Sequence, residues 1–575
     1  MSAGPRGIPE TLASRPWLLP VACACLCHLP ALFGTFVYDD VRFFDHPAPA
    51  SWPAFLALGR SDYGLTLGFP PFGFYRPGFT MLACAIRWIV GPNAPVFHAC
   101  ALAVLGVATW LVTRVAARLG PRGSQAFPVI AGLLYAVHPA RVETVSLVTS
   151  LPDLVVEVLA LALVCLLLPD ERSGSDAASS ETASRAASWR VAPVCAGFAF
   201  LATLFKESAF FVIPALAGTA ALAAVSSGDP RQRRVGLAAA ALAGAGLGWL
   251  VRLGSGVHAP VPSGVVLHNL AGTCSGGAVW TVLMAVRDVA LPGEAVFWRI
   301  PAWTQWTGAG WLLACLVAAI GACWGLALRR RLLPLALLIA WCGANVVNLL
   351  ILAASGYPYS ERYLALAPAI LLLCLGAQAL IARVGRRRPS LLAGPERRRV
   401  AWLLLAGYLA AQAGYTLAGS AVCLSPLRFF MKMHAVFPRR VVPVGGIAEL
   451  LNAQGGAAEE VEACVREATA IDATHVQVPL LHNLIIQRYL ADRRYADALR
   501  CATWSLGIYT NDVDKLVLRA AARANLGNLE TAISDLERAL VLQPACTNAQ
   551  SLRGQILRDL RKPGTGGPTT PAAGP

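Results

Sequence analysis

Charged residues are scarce in this sequence, and acidic residues are scarcer than basic ones. Only 14% of the 575 residues are charged, with 32 Asp and Glu against 48 Lys and Arg, whereas 56% are hydrophobic and the mean hydropathy is +0.57. Soluble domains usually carry about a quarter charged residues, so this composition excludes an ordinary soluble protein over most of the chain. The apolar residues stand in runs of about twenty, which is the length that crosses a bilayer. The sequence therefore predicts an all-α, polytopic membrane protein.

Other features that would point to different functions are also missing. The basic residues are not interleaved with aromatic residues of the kind that stack on bases, which argues against a nucleic-acid partner. The 16 cysteines lie mostly inside apolar runs, and none has metal-ligand spacing beside a histidine pair. No inverted repeat of the kind found in transporters is visible. No clear cleavage site follows Trp17 to Phe36, so we expect a retained first helix with a cytosolic N-terminus.

The arginines that are present cluster between the apolar runs, as the positive-inside rule predicts for cytosolic loops. We predict eleven spans, which place a water-soluble tail on the opposite, periplasmic or lumenal face of a bacterial inner membrane or endoplasmic reticulum. Gly78 to Val90 is apolar but short, and is expected to lie at the interface. The predicted spans are 17–36, 94–112, 127–137, 154–168, 191–205, 209–225, 235–253, 310–328, 332–353, 363–381 and 402–422.

Polar residues that a bilayer tolerates poorly fall at the external ends of the predicted helices. Charged groups at such depth commonly mark a functional site, although each one alone could simply end a helix or extend to the interface. We expect the set to converge on one pocket at the outer leaflet. Its members are Asp39, Asp40, Arg76, His138, Arg141, Glu143, Asp153, Lys206, Glu207, Glu361 and Arg362.

This arrangement suits the transfer of an activated sugar from a polyprenyl phosphate. The leaving phosphate needs fixed cations, for which Lys206 and Arg362 are candidates. The acceptor hydroxyl needs a carboxylate base, for which Asp39 or Asp40 is a candidate, and displacement from that side inverts the anomeric carbon. Paired carboxylates also serve glycoside hydrolysis, but two adjacent residues rarely aim at opposite sides of one bond.

Six segments in order resemble the transmembrane-and-tetratricopeptide-repeat O-mannosyltransferases and their bacterial relatives, which have the GT-C fold. They are FVYDD, FYRPGFTML, PVFHACALAVL, LLYAVHPARVETVSLVTSLPDLV, LFKESAFFVIP and YPYSERYLALAP, between about residues 30 and 385. The resemblance implies that Asp39 and Asp40 are catalytic and that Arg362 meets the lipid phosphate. It places further substrate contacts at His138, Glu143, Lys206, Glu207, Glu361 and Tyr363. Arg76, from the set of charges at the helix ends, is a predicted substrate contact as well.

The sequence departs from the family pattern in one segment. The HP motif of the family maps onto His138 and Pro139. Relatives often carry an arginine shortly after this motif, where this chain has Thr149, Ser150, Leu151, Pro152 and Asp153. The departure removes one cation that would contact the donor, so the donor or the activity differs if the segment belongs to the site.

The tail has the composition and spacing of tetratricopeptide repeats. Ala498 recurs 34 residues later as Ala532, with Ala539 and Pro544 at the offsets of such a repeat. Repeat arrays bind peptides in a concave groove, so we expect a docking surface for a polypeptide acceptor or partner. The predicted domains are 1–425 (membrane glycosyltransferase domain), 445–562 (repeats) and a disordered 563–575.

The preferred hypothesis is a glycosyltransferase that moves mannose from a polyprenyl or dolichyl phosphate to Ser or Thr of a protein on the non-cytosolic face. The alternatives are a catalytically inactive GT-C scaffold that binds partners through its repeats, or a transporter of lipid-linked sugars. The residues identify no cofactor, and a divalent metal ion stays an open alternative. Asp39, Asp40 and Glu143 would be the oxygen ligands if a divalent ion were bound.

Overall fold

The computed structural model describes residues 15–66, 73–121, 123–168, 181–226, 232–257, 287, 309–354, 366–388 and 394–561. Within these ranges the secondary structure is entirely helical, which confirms the predicted all-α class. The chain divides into two compact units, Met1–Ser425 and Pro426–Pro575. The functional domain limits drawn from the sequence stay predictions. The tail 563–575, predicted to be disordered, lies outside the described residues.

The first unit contains sixteen α-helices among its described residues. They are α1 (Leu18–His28), α2 (Asp39–Asp45), α3 (Trp52–Ala57), α4 (Tyr63–Thr66), α5 (Pro77–Val90), α6 (Ala94–Leu119), α7 (Ala126–Ala136), α8 (Arg141–Ser146), α9 (Leu151–Leu167), α10 (Glu181–Phe205), α11 (Ala209–Ser226), α12 (Gln232–Ser255), α13 (Ala309–Arg329), α14 (Leu333–Ala354), α15 (Leu366–Arg387) and α16 (Pro395–Val422). Short 3-10 turns cover Leu29–Phe33, Leu58–Arg60 and Val148–Ser150.

Several of these helices have the length and composition of membrane spans. Among the described residues, five stretches are long and apolar enough to cross a bilayer. The other apolar helices of the described part are shorter, so the count of eleven spans and the orientation stay predictions. The five stretches are Ala94–Leu119, Val148–Leu167, Arg234–Ser255, Leu366–Arg387 and Pro395–Val422.

The sequence predicts one continuous helix over Trp17 to Phe36. In the structure this stretch is broken. Helix α1 ends at His28, and the chain continues as the 3-10 turn Leu29–Phe33. Pro30 explains the change, because proline has no N–H to continue the α-helical hydrogen-bond pattern and its ring clashes with the preceding turn. Gly34 follows in close contact with the end of α16, since a Cβ there would lie 3.0 Å from the carbonyl oxygen of Cys423.

Helices α10 and α12 pack against each other through small residues. A Cβ atom at Gly244 would lie 2.1 Å from the carbonyl oxygen of Ala196, and one at Gly248 would lie 1.8 Å from Oγ1 of Thr203. The two glycines are four residues apart on the same face of α12. This is the small-xxx-small pattern by which membrane helices approach closely. The α10 backbone begins at Glu181, ten residues before the start of the predicted span 191–205.

The second unit is a stack of helical hairpins. Neighbouring helices contact each other in sequence, and from Val441–Ala453 onward the first helix of each hairpin also touches the first helix of the next. Ala498, Ala532 and Ala539 are fully buried in this stack. The helices are α17 (Pro426–Val436), α18 (Val441–Ala453), α19 (Ala458–Asp472), α20 (Val478–Ala491), α21 (Tyr495–Ile508), α22 (Val513–Asn525), α23 (Leu529–Leu542) and α24 (Thr547–Arg561).

Glu462 on α19 joins three helices of this unit. Its carboxylate accepts hydrogen bonds from the Tyr489 hydroxyl at 2.6 Å and from both terminal nitrogens of Arg500 at 2.7 and 2.9 Å. Arg466 donates to the same carboxylate from one turn farther along α19. The hydrogen bonds from Arg500, more than any other cause, hold the pKa of Glu462 well below its ordinary value, although burial opposes them.

Replacing Gly244 by leucine should destabilise the first unit, because the backbone of Ala196 cannot move away from the new side chain. We expect a loss of at least about 1–3 kcal/mol, the usual range for overpacking. Gly246→Leu is the matched control, since a Cβ there meets nothing within 4 Å among the described residues. Thermal unfolding of the full-length protein in detergent checks this prediction, and equal unfolding midpoints for the two variants would contradict it.

Glu462→Gln should destabilise the repeat unit at neutral pH by about 1–3 kcal/mol, because it weakens charged hydrogen bonds at a largely buried position. The folded pKa of Glu462 lies below the unfolded value of about 4.3. The wild-type stabilisation is therefore present above that pH and is lost as the pH falls toward the folded pKa.

Limited proteolysis of the full chain, with mass analysis of fragments from the tail, measures this difference. Glu537→Gln is the control, because Glu537 pairs with Arg553 at 3.3 Å on the surface. Equal protease resistance of the Glu462→Gln and Glu537→Gln proteins would show that the Glu462 network does not support the stack.

Candidate functional site

Asp39 and Asp40 begin helix α2 directly after a strained residue. Tyr38 has φ 55° and ψ −123°, in a region that bulky side chains rarely adopt. Such a conformation costs of the order of 1–3 kcal/mol and persists only where surrounding contacts enforce it. The backbone turn at Tyr38 brings both acidic residues into the first turn of the helix, where the exposed N–H groups favour negative charge.

Asp40 is fully buried, and its carboxylate is occupied by the protein itself. Oδ2 accepts a hydrogen bond from the backbone N–H of Val148 at 2.8 Å, and Oδ1 accepts one from Thr149 at 2.8 Å. The carboxylate therefore fixes the 3-10 turn that leads into α9. This contact was not predicted from the sequence, which offered Asp40 only as a candidate base.

Asp39 is half-buried, and its carboxylate accepts no hydrogen bond from the residues that the structure describes. Burial raises the pKa of Asp39 to about 7, with a further upward contribution from the charge of Asp40. Arg42 and Arg76 lower the pKa of the same carboxyl group, which places both guanidinium groups within electrostatic reach. Asp39 is thus a carboxylate that has no hydrogen-bond donor among the described residues and a pKa raised toward neutral pH.

Glu207 connects the end of α10 to the segment before α5. Its carboxylate accepts hydrogen bonds from the Tyr75 N–H at 2.9 Å and from Nε of Arg76 at 3.0 Å. The Arg76 guanidinium also stacks over the rings of Tyr63 and Phe74, at 5.0 and 4.8 Å. The predicted substrate residues Arg76 and Glu207 are therefore brought together as an ion pair, close to Asp39.

Lys206 forms an ion pair with Asp153, with 2.5 Å between Nζ and Oδ1. The two side chains are only 5% and 3% exposed. The sequence had offered Lys206 as a cation for the leaving phosphate. In the structure its charge is matched by Asp153, so this pair contributes little net positive charge to the site.

Arg141 pairs with a carboxylate that sequence reasoning had missed. Both terminal nitrogens of Arg141 lie 2.7 Å from oxygens of Glu157, and the Tyr135 hydroxyl donates to the same group at 2.7 Å. The backbone N–H of Ala367 donates to Glu157 at 3.2 Å. This fully buried cluster joins α7, α8, α9 and α15, so its evident role is to hold the helices together.

His138 and Glu143 flank the turn between α7 and α8, and both are buried. The ring nitrogen Nδ1 of His138 accepts a hydrogen bond from the backbone N–H of Ala140 at 3.1 Å. The substrate roles predicted for both residues stay predictions. Glu361, Arg362 and Tyr363 lie outside the described residues. The predicted proximity of Asp39 and Arg362 therefore stays a prediction.

Three residues of the site region were missed by sequence reasoning. Asp62 is buried, and its carboxylate oxygens accept hydrogen bonds from the N–H groups of Gly64 at 2.7 Å and Gly73 at 2.6 Å. These bonds hold Gly64 and Gly73 close to the same side chain. Tyr63 lies against Arg76, and Arg252 at the end of α12 donates to the carbonyl of Gly73 at 2.8 Å. The signal for Arg252 was present, because it is a charge inside an apolar run.

A metal centre finds no support in the part of the chain that the structure describes. No group of three or more His, Cys, Asp or Glu side chains there is placed to hold an ion, and this includes Asp39, Asp40 and Glu143. Every cysteine described is a free thiol.

Comparison with known proteins gives one partial sequence match. No family model matches the chain. A stretch of 151 residues, 26% of this chain, is 33% identical to Protein O-mannosyl-transferase Tmtc1 of Drosophila melanogaster, but it spans only 16% of that protein. The NMR structure of the first TPR domain of human RPAP3 aligns with 21% of this chain and 94% of its own length at 23% identity, with a TM-score of 0.19, too low to support a structural argument. The chain is therefore distantly similar, over part of its length, to an O-mannosyltransferase.

Proposed function

We propose that this protein is a membrane glycosyltransferase. It moves a sugar, with mannose the first candidate, from a polyprenyl or dolichyl phosphate to a Ser or Thr hydroxyl of a protein, on the non-cytosolic face and with inversion. The proposal rests on the environment of Asp39. Its carboxylate is half-buried, has no hydrogen-bond donor among the described residues and lies within electrostatic reach of two arginines, and the residue follows the strained Tyr38.

In this reaction the acceptor oxygen attacks the anomeric carbon while the bond from that carbon to the phosphate oxygen breaks. The bonding electrons leave with the phosphate, and Asp39 takes the proton of the hydroxyl group. A pKa of about 7 suits this task, because a general base works best when its pKa is close to the working pH. Asp40, with both oxygens on backbone N–H groups, positions the turn beside the base.

The partial similarity to Tmtc1 and the apolar helices support the proposal at the level of a membrane-bound sugar transferase. The GT-C fold, the eleven spans and a lumenal or periplasmic tail belong to the same proposal. So do donor contacts by Arg76 and Arg362, substrate contacts by His138, Glu143, Lys206, Glu207, Glu361 and Tyr363, and docking of a polypeptide at the repeats.

One observation favours a second candidate, an inactive scaffold that binds partners through its repeats. The segment that departs from the family pattern is buried within the first unit: Thr149 donates to Asp40, and Asp153 pairs with Lys206. If this segment belongs to the site, the missing arginine removes one contact to the lipid-linked sugar. A transfer assay with polyprenyl-phosphate mannose and candidate peptides separates the two functions.

Asp39→Asn should abolish most of the transfer without unfolding the protein. The rate is expected to fall by about 10²–10⁴, the usual contribution of a general base. Because the pKa of Asp39 is raised in the folded state, the native protein binds its proton more tightly, and the ionised group lowers stability as the pH rises from about 4 to about 7. The asparagine variant should therefore unfold at the same or a higher temperature than the wild type above pH 7.

Asp40→Asn is the matched comparison and should behave differently. An amide has one acceptor oxygen, so its NH₂ group would face the N–H of Val148 or Thr149, at a loss of about 1–3 kcal/mol. Labelled polyprenyl-phosphate mannose and thermal unfolding of both variants provide the two measurements. Undiminished transfer by the Asp39→Asn protein would remove Asp39 from its role as the base.

The rate of transfer should rise with pH up to about 7 and then level off, because only the ionised form of Asp39 accepts a proton. Arg42→Gln should shift the midpoint to higher pH, since the charge of Arg42 lowers the pKa of Asp39. Initial rates at donor concentrations well below KM, between about pH 5.5 and 8.5, report the midpoint of the free enzyme, to which this pKa belongs. A profile that is flat over this range in both proteins would contradict the assignment.

A further inference from the structure

Arg252 carries a hydrogen-bond donor that no described residue satisfies. Its Nη2 donates to the carbonyl of Gly73, but its Nη1 is buried and has no hydrogen-bond partner among the described residues. The nearest carboxylate oxygen, Oε1 of Glu207, lies 3.9 Å away, which is too far for a hydrogen bond. A buried charged donor without an acceptor is costly to maintain, so its presence here needs an explanation.

Tyr63 presents a second unsatisfied donor in the same cluster. The side chain is buried, with the residue only 4% exposed, and its hydroxyl has no hydrogen-bond partner within the described part of the chain. The ring lies against the Arg76 guanidinium at 5.0 Å and against Phe79 at 6.0 Å. Buried tyrosine hydroxyls almost always find a partner, and packing of the ring would be served as well by phenylalanine.

The cluster contains two largely buried guanidinium groups beside one carboxylate that both approach. Arg76 and Arg252 are 10% and 14% exposed, and both lie beside the single carboxylate of Glu207. The other buried cations of the first unit described above each have a carboxylate of their own: Lys206 pairs with Asp153, and Arg141 pairs with Glu157. Two guanidinium groups therefore share the Glu207 carboxylate, beside a tyrosine that can donate one further hydrogen bond, and Asp39 lies within electrostatic reach of Arg76.

We infer that Tyr63, Arg76 and Arg252, held by Glu207, form a subsite for the phosphate of a phosphate ester. Planar guanidinium donors match phosphate oxygens in geometry and charge. Burial raises the pKa of the Tyr63 hydroxyl well above its ordinary value, so it remains protonated and able to donate. The charges of Asp39 and Glu207 contribute to the same shift, which places the subsite next to the proposed base.

The identity of the ester rests on the proposed function, under which the phosphate is that of the lipid-linked sugar. The inference gives Arg252 a role that the sequence had assigned to Lys206, whose charge Asp153 already matches. Arg252 lies in the last turn of α12, one of the stretches long enough to cross the membrane, so its guanidinium is placed at the end of that span. A phosphate bound there would have its lipid chain beside the helices.

Binding of polyprenyl monophosphate without a sugar tests the subsite separately from catalysis. The full-length protein in detergent is titrated with polyprenyl monophosphate, with neutral polyprenol and with inorganic phosphate, and binding is followed by the shift in thermal unfolding. We expect the monophosphate to bind and Arg252→Gln to weaken it about tenfold or more, with partial recovery in Arg252→Lys. Binding of polyprenol should be the same in all variants.

Tyr63→Phe gives the sharper test, because it removes only the hydroxyl group. Without ligand, this variant should unfold at the same or a higher temperature than the wild type, since the lost hydroxyl makes no hydrogen bond to the described residues. It should still bind the monophosphate about three- to tenfold more weakly. A residue that served only for packing would not produce this combination, so the test holds even if Arg252→Gln does not fold.

Arg87→Gln is the control for loss of an arginine in this region. Arg87 lies on α5 and donates to the carbonyl of His46, away from the cluster, so its replacement should leave monophosphate binding unchanged. Wild-type affinity in both Tyr63→Phe and Arg252→Gln would overturn the subsite. Inorganic phosphate that binds as tightly as the lipid would overturn the assignment to a lipid ester. Binding that depends on Arg252 and Tyr63 without any sugar transfer would support the subsite and reject the transferase.

Discussion

The site depends on the hydrogen bonds from two backbone N–H groups to the carboxylate of Asp40. They join the segment after the first apolar helix to the turn that begins α9, across more than a hundred residues of sequence. Both partners are buried, so breaking the contact would leave polar groups unsatisfied in an apolar surrounding. The contact fixes the start of α2, and with it the direction of the neighbouring carboxylate. The carboxylate of Asp40 is therefore occupied by backbone hydrogen bonds, and the proposed function assigns the chemistry to Asp39.

The way in which the remaining charges are neutralised explains why Asp39 differs from them. Arg141 with Glu157 and Lys206 with Asp153 are almost fully buried pairs. Removing one partner of such a pair leaves an uncompensated charge, which is strongly destabilising. These pairs act as fixed links between helices. Asp39, in contrast, has arginines within electrostatic reach but no hydrogen bond from a described residue, so its charge can respond to a substrate.

Sequence reasoning predicted the helical class and singled out residues that do lie together. Apolar run length is set by bilayer thickness, so helices appear at the apolar runs that fall on described residues. The FYRP and KES segments supply the Arg76–Glu207 pair. It could not divide the roles of Asp39 and Asp40, because their difference arises from Val148 and Thr149, which are distant in sequence. It overlooked Glu157, a lone acid in an apolar run whose partner is sixteen residues earlier. Tyr63 and Asp62 gave no periodic signal at all.

The break at Pro30 has a consequence for the surrounding lipid. Eleven α-helical residues and a five-residue 3-10 turn rise only about 26 Å together, which is less than the hydrocarbon thickness of about 30 Å. A segment that is too short for its bilayer thins the membrane around it or lets its flanking residues sink. If this segment is the first span, as the proposed topology has it, headgroups would be drawn inward toward Asp39. The shortness of the first helix would then bring a lipid phosphate and the acidic residue to the same depth, without either having to leave the membrane.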